Sequence, residues 1–452
     1  MTRFIAPASL LSSVALAAAI TGCEPEGEIR AQWLVHVGTD APLPGFGDRI
    51  RVDVLDEKGV TCATCSRVFD TQSGQSLPLS FGVAPDSTAH FVRARLYRAE
   101  NTTSGGDPED PLIDVLGALP ALAEDPLSVK VWLGMSCFGK PVDLEAFTSC
   151  DPNTGELVTS LPLETGSAAE LPQPGSWGGG DIDCEGAAPA GMVCVPGGVF
   201  LLGSRAFAPF GPDFDPVPEQ LVQLPPFFID VDELTVARSR ELVALGALPP
   251  KFASAEDARC AYTARPGDQE DASVNCISRE TAALLCQQDG KRLPTEAEWE
   301  LASSNRDLGS PFPWLLEGEV DTDVICRTAV VARGDLGDLD ASRQCVVNDG
   351  VEPGPVAGGS ASDVSGLGIK NLGGNLSEWV SDDFARYADE ICWGSEIELL
   401  EDPQCVADPS LGVLRGGSWL SFTYNTHAFF RRSAPSGLEP SFVGVRCARD
   451  GG

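Results

Sequence analysis

The side chains with the strongest claim to chemistry here are oxygen ligands, acids and thiols, because the only histidines are His36, His90 and His427. From Asn371 to Glu378 the chain reads Asn-Leu-Gly-Gly-Asn-Leu-Ser-Glu. An amide, a carboxylate and closely spaced carbonyls on a glycine-bent loop are the hard oxygen ligands that calcium prefers. The competing reading is a structural turn with Glu378 paired to an arginine. Arg292, Glu296, Glu298 and Glu300 have acid–base types, but helical spacing puts Glu296 and Glu300 on one face. Ion pairs with Arg431, Arg432 or Arg446 are the expected use, since a charge among apolar residues needs a fixed partner. His427, near Tyr424, has no readable nucleophile or orienting carboxylate and is read as a loop histidine. Cys62-Ala-Thr-Cys65 has the spacing of a redox pair without a βαβ context, so a small structural disulfide is expected.

The chain carries 66 acids against 31 lysines and arginines, a formal charge of -35. That balance argues against a nucleic-acid partner, whose phosphates need basic side chains. It suits calcium, a cationic partner, or simply solubility. The N-terminus has a basic start, an apolar run from Leu10 to Ile20 and then Thr21-Gly22-Cys23, which describes an export signal too short to span a bilayer. Ile20-Thr-Gly-Cys23 resembles a bacterial lipobox, implying a signal peptide over 1–22, cleavage before Cys23 and lipid on its thiol. The expected location is the bacterial cell envelope, on the outer membrane or the periplasmic face, with the chain anchored through lipid. Lipidation removes one of 15 cysteines, leaving an even set that an exported chain is expected to pair. Sequence neighbours suggest Cys62–Cys65, Cys137–Cys150, Cys184–Cys194, Cys260–Cys276, Cys326–Cys345 and Cys392–Cys405. Cys286 and Cys447 remain.

The elements that must position these groups fall into two regions behind an acidic tether over 23–29. Over 30–150, alternating stretches such as Arg49–Leu55 and His90–Tyr97 predict half-buried strands, as do Gln32–Val37, Leu77–Val83 and Leu127–Leu133. Strands separated by Gly, Pro and Asp turns suggest a β-sandwich, serving either as a binder of glycan or protein or as a passive spacer. Residues 151–183 read as a linker, rich in breakers. In 184–452, helices are expected from Glu233 to Leu245, from Ser278 to Cys286, and from Thr295 with a Thr295/Glu298 capping box. Gly416-Gly417 beside Trp419 marks a strand whose backbone passes close to something bulky.

Five ordered blocks carry a family resemblance: Val195–Ser204, Phe228–Thr235, Arg292–Glu300, Asn371–Trp379 and Leu414–Arg449. Together they resemble the formylglycine-generating enzyme (sulfatase-modifying factor) family over roughly 190–450. The resemblance implies a compact α+β domain with little regular secondary structure, distantly like C-type lectins, here preceded by the all-β sandwich. It also implies a Cys286–Cys447 disulfide, and a structural calcium held by the side chains of Asn371 and Glu378 and the carbonyls of Gly374 and Leu376. In the family's oxidases two cysteines after Gly-Gly-Ser bind copper(I), and dioxygen then turns a substrate cysteine into formylglycine. Counted from Gly416-Gly417-Ser418, those positions are Ser421 and Thr426. Copper(I) needs thiolates, so copper and catalytic residues are not expected. The function that follows is a lipid-anchored binding or scaffold module for an exported protein, a peptide or a glycan. The alternative is a divergent formylglycine-generating oxidase, with Cys392 and Cys405 approaching the cleft.

Overall fold

A computed structural model describes residues 31–71, 77–85, 89–99, 102–109, 111–122, 124–179, 181–204, 216–245, 259–263, 265–304, 311–314, 320–334, 345, 354–394 and 399–452, without the side chains of Cys62 and Ala63. The expected signal peptide, the lipobox cysteine Cys23 and the tether lie outside the described residues. Among the described residues, no helix is long and apolar enough to cross a membrane.

The N-terminal region is two four-stranded sheets. In one, Trp33–Thr39 lies between Leu79–Val83, antiparallel, and Leu127–Leu133, parallel, with Glu164–Thr165 beyond. The other is antiparallel in the order Thr61–Asp70, Arg49–Leu55, Phe91–Tyr97, Ile113–Ala118. Their alternating apolar residues share one core: Val35, Val37, Val129 and Val131 from the first sheet, Ile50, Val52, Val92, Ala94 and Val115 from the second. Period-2 alternation gives each sheet one core face. The polar face of the second carries its own pairs, with Arg95 on Asp53 and Arg93 on Asp114.

The expected linker is corrected in its first half. Leu157–Thr159 pairs with Thr148–Cys150, and Glu164–Thr165 extends the first sheet. Buried Leu163 joins the sandwich core. Pro and Gly density hid these two- and three-residue strands, which lack enough length to show a period. The following region also packs on the sandwich: Val199, Leu201 and Leu221 join its core, and Arg98 pairs with Glu219.

The C-terminal region mixes short strands with four described helices: α1 (Val236–Ala244), α2 (Arg279–Gln288), α3 (Glu296–Ser303) and α4 (Thr322–Thr328). Helix α3 has the capping box: the Thr295 hydroxyl accepts from Glu298 N at 3.1 Å, and the Glu298 carboxylate accepts from Thr295 N at 2.8 Å. Its sheet has the order Arg431–Pro435, Leu411–Arg415, Ser377–Asp383, Val443–Gly444. Few and short regular elements make this an α+β fold held largely by loops, buried ion pairs and disulfides. Cys137–Cys150, Cys184–Cys194, Cys260–Cys276, Cys286–Cys447, Cys326–Cys345 and Cys392–Cys405 are joined. Cys65 is also disulfide-bonded; the side chain of Cys62, its expected partner, lies outside the described residues.

Candidate functional site

The acidic helix α3 is structural. Its face toward the sheet buries Glu296, which accepts from Arg431 at 2.7 and 2.8 Å and from Arg415 at 3.1 Å. Burial disfavours the Glu296 carboxylate, but the two guanidinium groups outweigh it and hold its pKa below the ordinary range. Glu300 takes the other arm of Arg415 and the Gly203 amide at 2.6 Å; burial leaves its pKa raised. Glu298 is clamped by Arg292 at 2.7 Å on each oxygen. Behind this set, Asp382 accepts from the amides of Glu296 and Cys405, each at 2.8 Å. Burial, then the nearby Glu296 charge, push its pKa up to about 7. Arg431 and Arg446 are used in ion pairs as the sequence suggested. Arg415 carried no sequence signal beyond its Gly-Gly neighbours, and among the described residues Arg432 takes no carboxylate.

The expected calcium loop is held by protein groups. Glu378 is fully buried and accepts from Arg446 on both oxygens, at 2.8 to 3.0 Å, and from Trp299 Nε1 at 2.7 Å. The Asn371 side-chain oxygen accepts from Ser360 N at 2.9 Å. Leu376 donates its amide to Glu233 at 3.1 Å, and the amide of Gly373, beside Gly374, donates to Asp363 at 3.1 Å. Both side chains expected to ligate calcium thus have partners within the protein, and Glu378 is paired with an arginine, as in the competing reading of a structural turn. Among the described residues, no group of three or more His, Cys, Asp or Glu side chains is arranged to hold a metal. Glu233 and Asp363 are members of this network that sequence reasoning missed. Burial raises their pKa values to about 8 and about 7, respectively.

The Gly416-Gly417 step brings the last block against both networks. Gly416 has φ +74°, and a Cβ there would lie 2.7 Å from the Leu372 carbonyl and 3.0 Å from the Trp299 ring. Only glycine suits that conformation and approach. Beyond it the chain turns: Ser418 N donates to the Ser421 hydroxyl at 3.0 Å, and the two hydroxyls lie 2.8 Å apart. A 3-10 turn, Thr423–Thr426, buries Thr426, whose hydroxyl donates to the Thr423 carbonyl at 2.7 Å. Residues 332–333 run alongside, with Ala332 N on the Ser421 carbonyl at 3.0 Å and Arg333 N on the Trp419 carbonyl at 2.7 Å. His427 hydrogen-bonds the Tyr424 carbonyl through Nδ1 at 2.6 Å and stacks near Phe312 and Phe429. Burial lowers its pKa. Cys392–Cys405 packs instead with Tyr387 and Trp393 in the core beside α3, where Cys405 meets Asp382. All ten cysteines from Cys184 to Cys447 are in disulfides.

Residues 183–451 match the family described as sulfatase-modifying factor enzyme 1-like domain. The chain is 29% identical over 304 residues to the formylglycine-generating enzyme of Streptomyces coelicolor, covering 58% of this chain and 89% of that protein. It is 26% identical over 272 residues to the serine/threonine-protein kinase Pkn1 of Chlamydia trachomatis, covering 57% of this chain and 38% of that protein. The chain thus spans well under half the length of the kinase relative. Among solved structures, PvdO from Pseudomonas aeruginosa is similar at 21% identity and TM-score 0.38, over 57% of this chain and 94% of that one.

Proposed function

The chain belongs to the sulfatase-modifying factor enzyme 1-like family, and from that premise we propose that its 183–451 domain is a ligand-binding or scaffold module without copper oxidase chemistry. The observation that carries this reading is the pair Ser421 and Thr426 where the oxidases have cysteines. A hydroxyl at ordinary pH is not a thiolate, and copper(I) selects soft sulfur ligands. Thr426 is buried and turned onto the Thr423 carbonyl, and no thiol of the domain is left unpaired to take its place. The lipobox reading adds a lipid anchor at Cys23 and a place in the bacterial cell envelope, where an exported protein, a peptide or a glycan would be the partner.

One observation favours the alternative of a divergent oxidase: a formylglycine-generating enzyme is among the relatives and is matched over 89% of its length. An oxygen electrode separates the two readings. With copper and a Cys-x-Pro-x-Arg peptide, the binding module consumes no oxygen above the peptide-and-copper background. Enzyme-dependent turnover, with the peptide cysteine converted to an aldehyde, would establish the oxidase instead. Non-reducing peptide mapping adds a second readout, in which the binding reading expects no free thiol between Cys184 and Cys447.

A further inference from the structure

Beside Ser421 lies a small aromatic surface with an unusual charge environment. Trp419 is buried with Val330 and Leu376, and the half-buried Leu420 and Phe442 pack onto them. The Arg432 guanidinium sits 4.9 Å over the Phe442 ring, and Arg259 sits 5.3 Å over the Trp419 ring. Arg333 runs along Trp419 through its backbone, and Gly334 next to it leaves the space that Leu420 fills. Resting on the binding-module reading above, we propose that this surface takes an organic oxyanion, a carboxylate carried on an apolar or aromatic group, with Arg333 and Arg432 as its cationic contacts.

Arg415, Arg431 and Arg446 are fully buried, and each has a carboxylate within hydrogen-bond distance. Arg333 and Arg432 are half-buried, and among the described residues neither has one. Burial lowers the pKa of both, and among the described residues no carboxylate opposes it on either. The Nε of Arg333 is buried without a hydrogen-bond partner. In a chain where acids outnumber bases 66 to 31, two such arginines stand apart, one with its guanidinium over Phe442 and the other joined to Trp419 through its backbone. A desolvated charge without a partner is costly, and a bound anion would repay that cost. A guanidinium presents a planar fork of donors that matches a carboxylate, while the half-buried Phe442 and Leu420 offer the apolar wall that an organic group needs.

Isothermal titration of the full chain with hippurate, hippurate methyl ester and inorganic sulfate tests this. Hippurate is expected to bind, and its uncharged ester to bind at least about tenfold more weakly, the worth of one charge-assisted contact. R432Q and R333Q are each expected to weaken hippurate by about tenfold while the thermal midpoint stays close to wild type. If one variant fails to fold, the other and the ester comparison still decide. Equal binding of acid and ester, unchanged affinity in both variants, sulfate binding as tightly as hippurate, or no heat with any probe up to about 10 mM would each overturn the proposal. Oxygen uptake measured on the same preparation keeps the two levels apart. Copper-dependent turnover sinks the binding-module reading, whereas silence in both assays sinks only the assignment of the ligand.

Discussion

Arg431 and Arg432 are neighbours on one strand whose side chains point to opposite faces, and the regions they enter treat charge differently. On one face, Arg431 and Arg415 are sealed against Glu296 and Glu300, with no exposed side-chain surface on either arginine. On the other, the half-buried Arg432 lies over Phe442 and, among the described residues, has no carboxylate. The first region spends its acids on holding a loop-rich domain together, and the second leaves Arg432 without a carboxylate among the described residues. The same residue type is structural or available according to which carboxylates the fold brings to it.

The largest effect should come from breaking the sealed side. R431M leaves Glu296 buried with half its compensation, which costs about 3–5 kcal/mol for an orphaned buried charge. R432M removes a cation with no carboxylate and should cost about 1 kcal/mol or less. Denaturant unfolding under non-reducing conditions reads both, and equal costs would erase the distinction between the faces. The disulfides extend the comparison. C286A/C447A opens a 161-residue separation and C392A/C405A a 13-residue one. The first should lose 2–5 kcal/mol, and about 2 kcal/mol more than the second on chain-entropy grounds. A larger loss at Cys392–Cys405 would mean that packing around Tyr387 and Trp393 dominates closure.

The sealed side should also be sensitive to pH, in the direction opposite to ordinary acid denaturation. Asp382 is pushed up to about 7 in the fold from the ordinary aspartate value of 3.8, by burial first and then by Glu296. The folded state therefore binds more protons than the unfolded one between those values, and the stability linked to Asp382 is lost as pH rises through about 7. Wild type should lose about 2 kcal/mol or more between pH 5 and pH 8. D382N, which cannot ionise, should show a shallower slope over that window. A flat wild-type profile would show that Arg415 and Arg431 already neutralise the aspartate.

Much of this contrast was legible in the sequence, and the reasons are local. The Thr295/Glu298 capping box, the helix it starts and the alternation in Arg49–Leu55 follow from neighbours within a few residues, so periodicity and capping chemistry reveal them. The Arg431–Glu296 pair joins residues 135 apart, and Asp363 meets Gly373 only because a loop folds back; neither leaves a period to read. Helix α4 went unread because it is short and lies in a Gly- and Asp-rich stretch. Arg432 was expected to find a glutamate because charge among apolar residues needs a partner. That rule does not say from which molecule the partner must come.

The smallest expected effect concerns the Asn371–Glu378 loop. A glycine-bent loop of this kind can be held by a divalent ion or by protein cations and amides, and here Arg446 occupies both Glu378 oxygens while Ser360 N takes the Asn371 carbonyl. Calcium would have to displace a fully buried guanidinium that also donates to the carbonyls of Asp230, Val231 and Lys370 at 2.6 to 3.0 Å. The thermal midpoint in excess calcium should therefore match that in EDTA to within about 1 °C. An ion bound at a hundredfold its dissociation constant would add about 2.7 kcal/mol, a rise of roughly 5 °C or more for a domain of this size. Such a rise would show that Glu378 exchanges Arg446 for a metal, and the loop would then belong with the uncommitted side of the molecule rather than the sealed one.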